Sequence, residues 1–255
     1  MFSSKEILTV AISFKAQAIN AINAYIVYGH PSPFAFWGFA HTIALKLGSS
    51  LENEAVLPIV HFYKNRMERD TFNQLKSMQR DGGTKPNTQV DIPRADIECS
   101  IVFQIDCTDK NIDKQSILDA MKKMRFSGGV IHQNSVTVNI DSYEKNVLKN
   151  IRKSGFIFKE HKLKLEKGQE ISSFIDELSQ YKGSEKGWIT PSLLGYAPVE
   201  SPQKRDNIRF DYNHQFAEPL VGAVQFRKFD RFQSSIEEDS WYLDVSENLI
   251  KISNR

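Results

Sequence analysis

The chain has little cysteine: Cys99 and Cys107 are the only two in 255 residues. Two thiols cannot frame a disulfide-stapled secreted domain. Their even spacing puts both on one face of an expected strand, pointing inward and too far apart to bond, so they read as buried thiols of a cytosolic protein. Charge of one sign is also scarce. Lys and Arg number 33 against 31 Asp and Glu, and the net charge of +2 names no partner by itself. No apolar run has the length needed to cross a bilayer. Met1 to Phe14 holds Lys5 and Glu6 and alternates like a strand, so no secretory signal is expected. His30, His41, His61, His132, His161 and His214 never fall at metal-ligand spacing with one another or with cysteine, and no metal or other cofactor is expected. A phosphate-binding P-loop, a serine-hydrolase elbow and a zinc-protease helix are all missing, which removes three common enzyme classes.

What is present begins with a strand. Leu8, Val10, Ile12 and Phe14 alternate with Thr9, Ala11 and Ser13, predicting one buried face. Asn20 and Asn23 follow among small apolar residues, and the chain turns through Gly29-His30-Pro31-Ser32-Pro33 into a strongly apolar segment. Ser32 is suited to cap a helix whose first position is Pro33. Phe34, Trp37, His41 and Leu45 recur at helical spacing, with Phe36, Phe39, Ala40, Ile43, Ala44 and Leu47 beside them, until Gly48 stops the run. So apolar a helix is expected in the core, and Trp37, Trp188 and Trp241 are expected there too. Val56 to Tyr63 reads as a second strand, with Pro58 placing it at an edge or near a bulge.

From Lys64 to Arg94 the composition becomes polar and basic, broken by Gly82-Gly83, Pro86 and Pro93. This is an insertion, either an arm that orders on binding or a connector, and Lys76, Arg80, Lys85 and Arg94 supply its cationic reach. Ile97 to Cys107 then alternates cleanly as a strand. Asp113 opens a helix that ends at Ser127-Gly128-Gly129, and Val130–His132 with Val136–Ile140 reads as a hairpin about Gln133-Asn134. Ser142 caps a helix closed by Gly155, and Phe156–Phe158 is another strand. The order strand–helix–strand–strand–helix–strand is that of ferredoxin-like, RNA-recognition-type folds. After a helix around Ile171–Leu178 the chain is β-rich: Gly187–Val199, Phe216–Phe229 and Trp241–Val245. The expected class is α+β, one domain over residues 1–255 with residues 64–94 as an inserted arm.

The charges are unevenly spread. Lys122, Lys123, Arg125, Lys149, Arg152, Lys153, Lys159, Lys162 and Lys164 lie in one stretch, whereas Glu237-Glu238-Asp239 gathers acid elsewhere. This predicts either a basic face for nucleic acid or solvated lysines on helix surfaces. The Gly128-Gly129 pair is either a helix stop or a place of close approach for a phosphate–sugar chain. His30 beside Tyr28 is either an acid–base pair for RNA cleavage or a locally bonded ring in a turn.

Several patches resemble a known family. Asn20-Ala21-Ile22, then Gly29-His30-Pro31-Ser32 leading to Ala35-Phe36-Trp37-Gly38-Phe39, is similar to its Asn-Ala-Ile…Gly-Phe-Pro-Ser…Ala-Phe-Leu-Gly pattern. Met124-Arg125-Phe126-Ser127-Gly128-Gly129 resembles its Arg-Leu-Ala-Gly-Gly. Gly187-Trp188-Ile189-Thr190-Pro191 with Gly195-Tyr196, and Phe216-Ala217-Glu218-Pro219-Leu220, resemble its Gly-Trp-Leu-Val-Pro…Gly-Tyr and Phe-Val-Glu-Pro elements. The family is the handle-binding subunit of type I-F CRISPR surveillance (Cascade) complexes, the Csy-two form of the Cas-five family. His30 stands where its pattern has Phe, and Phe126-Ser127 where it has Leu-Ala.

The resemblance implies a ferredoxin-like core of the RAMP type with a thumb-like insertion. It implies a subunit without catalytic role that binds the 5′ handle of a CRISPR RNA (crRNA), caps the filament of Cas-seven-type backbone subunits and contacts the Cas-eight-type large subunit, with target DNA as a further partner. Asn20, Asn23, Tyr28, His30, Ser32, Arg125, Ser127, Gly128, Gly129, Arg152 and Lys153 are then the expected RNA contacts, and Lys76, Arg80, Lys85 and Arg94 the arm's contacts to the duplex. The alternatives are a backbone subunit of the same kind of complex, a metal-independent endoribonuclease using His30 or His132, and a protein-interaction module without nucleic acid.

Overall fold

The computed structural model describes residues 6–24, 27–66, 93–108, 110–162, 170–180, 188–206, 213–246 and 249–254. The fold is α+β, a large antiparallel sheet with few helices. Its first strand, β1 (Ile7–Asn20), sends Val10, Ile12 and Phe14 into the main core. The expected polar face is buried as well. Thr9 and Ala11 are fully covered, because the sheet carries a helical layer on each side. Small residues there let the second layer come close.

After the short pair β2 (Ile22–Ala24) and β3 (Val27–Tyr28), helix α1 (Pro33–Lys46) lies on the main-core side. The buried stripe is Phe36, Phe39, Ala40, Ile43 and Ala44 rather than the Phe34–Trp37–His41–Leu45 row, and Leu45 is 60% exposed. Burying Phe36, Phe39 and Ile43 contributes roughly 1.5–3 kcal/mol each. Ser32 occupies the N-cap position but its side chain makes no capping bond; Pro33 at the first position carries the start. Leu47 is the C-cap and Gly48 adopts φ +65°. Ser49 N–H reaches the Ala44 carbonyl at 2.8 Å and Gly48 N–H the Leu45 carbonyl at 2.9 Å, a Schellman stop.

Strands β4 (Leu51–Asn65) and β5 (Arg94–Asp106) form a long hairpin, in register out to Asn65–Ala95. Pro58 lies inside the sheet, where the outer neighbour of β4 changes from the last strands of the chain, at Ala55 and Val56, to a different strand at Val60. Lys64 and Arg94, the expected limits of the insertion, are therefore strand residues. Lys76, Arg80 and Lys85 lie outside the described residues. Cys99 and Cys107 are both buried, and burial pushes both thiols above their ordinary pKa; Cys107 sits just beyond the strand end.

Helix α2 (Lys114–Met121) begins with a full capping box between Asp113 and Ser116. It stops before the glycine pair. Arg125–Phe126 (β6) and Gly129–Ile131 (β7) instead form a tight hairpin whose two-residue turn is Ser127-Gly128, at φ +46° and +77°. Both central residues have positive φ, as a type I′ turn requires. The expected second hairpin is absent: β7 and β8 (Thr137–Asp141) do not pair with each other but follow one another along the same edge of β1. Helix α3 (Glu144–Asn150) is held at its start by Asp141, which accepts from Tyr143 N and from Asn146, and not by Ser142. It covers the second face with Val147, Leu148 and Ile151. Gly155 does not close this helix; a side chain there would strike Ile59, Val60 and His61 of β4.

Strand β9 (Phe156–His161), helix α4 (Glu170–Gln180), β10 (Ile189–Pro198), β11 (Ala217–Lys228), the single turn α5 (Ile236–Asp239), β12 (Trp241–Ser246) and β13 (Leu249–Asn254) complete the described elements. The last strand is not evident from the sequence. Pairing runs β4–β9–β11–β10–β13–β12 and returns from β12 to β4, closing a ring of six strands. Its interior holds Phe158, Phe226 and Trp241. Trp37 is half-buried, and Trp188 is 48% exposed, stacked on Phe226 at 5.0 Å rather than enclosed. The expected strand–helix–strand–strand–helix–strand unit does not form over Ile97–Phe158, since β5 and β9 are not neighbours. That succession starts instead at β1, as β1–α1–β4–β5–α2–β8, with sheet order β4–β5–β1–β8 and both helices on one face. No helix among the described residues is long and apolar enough to cross a membrane.

Candidate nucleic-acid interface

The outer face of β5 organises the candidate site. Ala95, Ile97 and Cys99 point into the main core, so Arg94, Asp96 and Glu98 alternate onto the opposite face. Arg94 pairs in register with Asn20 at the end of β1. Beside it stands the Ser127-Gly128 turn: Asn20 N–H donates to the Ser127 carbonyl at 2.8 Å, and Ser127 Oγ reaches the Asn20 carbonyl at 3.4 Å. The Arg94 guanidinium donates to the Ala18 carbonyl at 3.3 Å and lies against Gly128. A β-bulge around Ala18, at φ +53°, lets the end of β1 bend towards the hairpin. Gly129 is required there: a Cβ would lie 2.5 Å from the Gln17 carbonyl and 2.7 Å from Ile19 N, both backbone atoms.

Asn20, Arg94, Arg125, Ser127, Gly128 and Gly129 thus meet at one corner, at the root of the insertion. The Asn20 side-chain oxygen accepts from Ile22 N at 3.0 Å, which fixes the chain as it leaves β1. Arg125 is exposed, and its nearest acceptor is the Gly128 carbonyl at 3.5 Å. Neither Arg94 nor Arg125 has an ion-pair partner among the described residues. Arg66, one register step from the corner, is neutralised by Asp96 at 2.8 Å. Partial burial disfavours the Asp96 carboxylate. Hydrogen bonds from Arg66 and from Ala18 N outweigh that and hold its pKa below the ordinary value.

Further along the same face, Glu98 gathers Lys153 and, at 3.9 Å, Lys15. Lys153, from the turn between α3 and β9, joins the same face through Glu98; Arg152, next to it in that turn, is exposed. Exposed Lys64, paired in register with Asp96, belongs to it too. Lys15, Lys64, Arg66, Arg94 and Lys153 outnumber Asp96 and Glu98, leaving a cationic track. The other expected lysines divide. Lys122 pairs with Asp119 at 2.7 Å and Lys159 with Asp239 at 2.6 Å, both away from this face.

His30 and Ser32 do not join the track. His30 is 5% exposed, its ring 5.0 Å from Phe158 and 4.8 Å from Phe226, and its Nδ1–H donates to the Pro31 carbonyl at 2.7 Å. Burial lowers its pKa to about 4, against a smaller opposing effect of the Pro31 bond. Ser32 is likewise buried. The side chains of Asn23 and Tyr28 lie outside the described residues. Tyr63 belongs to the neighbourhood although the sequence did not mark it: its hydroxyl donates to the Gly29 carbonyl at 2.7 Å, and burial raises its pKa to about 12. His61 is similar. Its Nδ1–H donates to the Ser154 carbonyl at 2.9 Å, its Nε2 sits 2.7 Å from Ser100 Oγ, and burial lowers its pKa.

Residues 10–156, more than half of the chain and from β1 through the first residue of β9, match a family model described as CRISPR-associated protein (Cas_Csy2). The chain belongs to that family. It is therefore a member of a type I-F CRISPR-Cas complex. The match includes every described residue of the cationic track, and the strands β10 to β13 fall beyond it. No curated protein matches the chain.

Proposed function

We propose that this chain is the non-catalytic subunit that binds the 5′ handle of the crRNA and caps the backbone filament, within a cytoplasmic complex holding Cas-seven-type and Cas-eight-type subunits and meeting target DNA. The observation that carries the reading is the cationic track on the outer face of β5. It runs from the Arg94–Arg125–Ser127-Gly128 corner to Lys153. Guanidinium and ammonium groups there supply the phosphate contacts from which most RNA affinity derives. At the corner Gly128 is exposed, and only the Arg94 guanidinium lies near the place a side chain would take, which suits close approach by a sugar–phosphate chain. The strand order β4–β5–β1–β8 with α1 and α2 on one face supports a ferredoxin-like, RAMP-type core. α1 and α2 lie on the opposite face, and α3 covers this one over Ala11, Leu57 and Val102, short of the Arg94–Glu98 end of β5 where the track runs.

The absence of a catalytic role is part of the proposal. His30, the one histidine of the loop before α1, is enclosed by Phe158 and Phe226 and held neutral, out of reach of an RNA backbone. The test is binding of a crRNA carrying the host repeat's 5′ handle across a salt series. Arg94→Ala and Arg125→Ala are each expected to weaken binding and to flatten the slope of log affinity against log salt by about 0.7. Slopes unchanged in the double variant would assign both arginines to a solvated surface and remove the track as the RNA site.

A further inference from the structure

An aromatic side chain stands exposed on the cationic track. Phe62 is half exposed, on a face whose neighbours are Lys64, Glu98 and the two lysines gathered by Glu98. Its position follows from a specific irregularity. In the β4–β5 ladder Val60 pairs with Cys99 and Phe62 with Glu98, so two steps on β4 answer one step on β5. His61 is the additional residue of a β-bulge. Without it, Phe62 would share the face of Val60 and enter the main core, where an aromatic ring is worth most. The bulge turns Phe62 outward instead, and Tyr63, next in the chain, takes the core-facing place opposite Ile97. His61 anchors the bulge through Ser154 and Ser100. The bulge thus holds an exposed aromatic ring among cations, a setting that a flat ligand with charged flanks complements.

We propose that Phe62 is a base-stacking residue for single-stranded RNA lying along this track. A nucleobase has the π-face that matches the exposed ring, and its phosphates match the flanking Lys15, Lys64 and Lys153. The register sets the layout. Phe62 lies opposite Glu98, four residues along β5 from Arg94, or about 13 Å at the usual strand rise. A phosphate held at the Arg94–Arg125 corner and a base stacked on Phe62 are then separated by the length of a few nucleotides. This inference rests on the handle-binding reading, and adds to it a stacking position that charge alone would not supply.

The test uses the full chain and the handle-bearing crRNA. Phe62→Ala should weaken binding roughly 5- to 100-fold, the range for losing one stacked base, with the salt slope unchanged because no phosphate contact is lost. Phe62→Tyr should restore binding. Phe62→Leu should not, since it keeps the apolar bulk without the ring. Phe62→Trp should bind like the parent and show indole emission that RNA quenches. Thermal melts of all four variants should match the parent, because the side chain is outside both cores. If Phe62→Ala binds as tightly as a parent that does bind, stacking is overturned and handle binding stands. Equal rescue by Leu and Tyr would also overturn it, assigning the position to apolar packing against a neighbouring protein. A parent that binds no crRNA at all would overturn both.

Discussion

His30 behaves as an aromatic core residue that happens to be titratable. Its ring fills a space between Phe158 and Phe226, and it stands where the resembling pattern has Phe. Its folded pKa of about 4 lies below the ordinary histidine value of 6.5, so the unfolded chain binds the proton more readily. The stability this neutral ring contributes is complete above pH 6.5 and is lost as the pH falls through that value towards 4. At pH 5 the loss amounts to about 2 kcal/mol. Denaturant unfolding at pH 7.5 and pH 5 should therefore show a drop in the parent that is smaller by about that amount in His30→Phe. An equal drop in both proteins would mean that His30 does not carry the titration. The loop containing His30 was legible as a helix entrance. Its burial was not, because the rings that enclose it come from β9 and β11, more than a hundred residues later.

Among the elements, the long ones announced themselves. β5 alternates without interruption, Asp113 opens α2 as expected, and Gly48 stops α1. The hairpin β6–β7 did not, for a physical reason: strands of two and three residues are too short to show a period, and Ser-Gly-Gly serves a helix stop as well as a type I′ turn. The site corner depends on this hairpin, so Asn20, Arg125 and the glycines could be nominated from sequence but not brought together. The β4–β5 hairpin offers a test at this scale. Its pairing continues to Asn65–Ala95, and Arg66 N–H bonds the Arg94 carbonyl at 2.8 Å, so the ends of the insertion are already side by side. Replacing residues 67–92 with Asn-Gly should leave the rest of the chain folded with one cooperative melt and raise its stability by up to about 2 kcal/mol, since a two-residue loop costs less closure entropy than a long one. If the insertion is the proposed arm, the shortened chain should fold yet bind target DNA poorly in the assembled complex. A shortened chain that unfolds would place part of the core in the insertion, and one that binds target like the parent would reduce it to a connector.

At the scale of the molecule, the ring of strands depends on the C-terminal pair returning to β4. Trp241 is the closing residue: it pairs with Val56, is almost fully buried, and donates from Nε1 to the Phe158 carbonyl at 2.9 Å. Trp241→Ala should cost about 3–5 kcal/mol, combining a large cavity with an unsatisfied carbonyl. A loss below about 1 kcal/mol in chemical denaturation would mean that the ring does not depend on this contact.

Local chemistry by itself determined the α+β class, the strand and helix character of the long segments, the buried thiols, the basic surplus of the middle stretch and the family resemblance. Each of these is written in nearest neighbours: period, cap, turn residue, charge. Only the tertiary structure decided which faces are interior and which cations share a surface. Ala11 suits water or a second helical layer equally well, and α3 settles the matter by covering it. Likewise Arg94, Arg125 and Lys153 are separated along the chain, and they acquire a common face through the pairing of β5 with β1 and β4 and the docking of the α3–β9 turn on Glu98. Pairing partners and bulges such as His61–Phe62 are set by the balance of burial over the whole sheet, which no window of sequence contains.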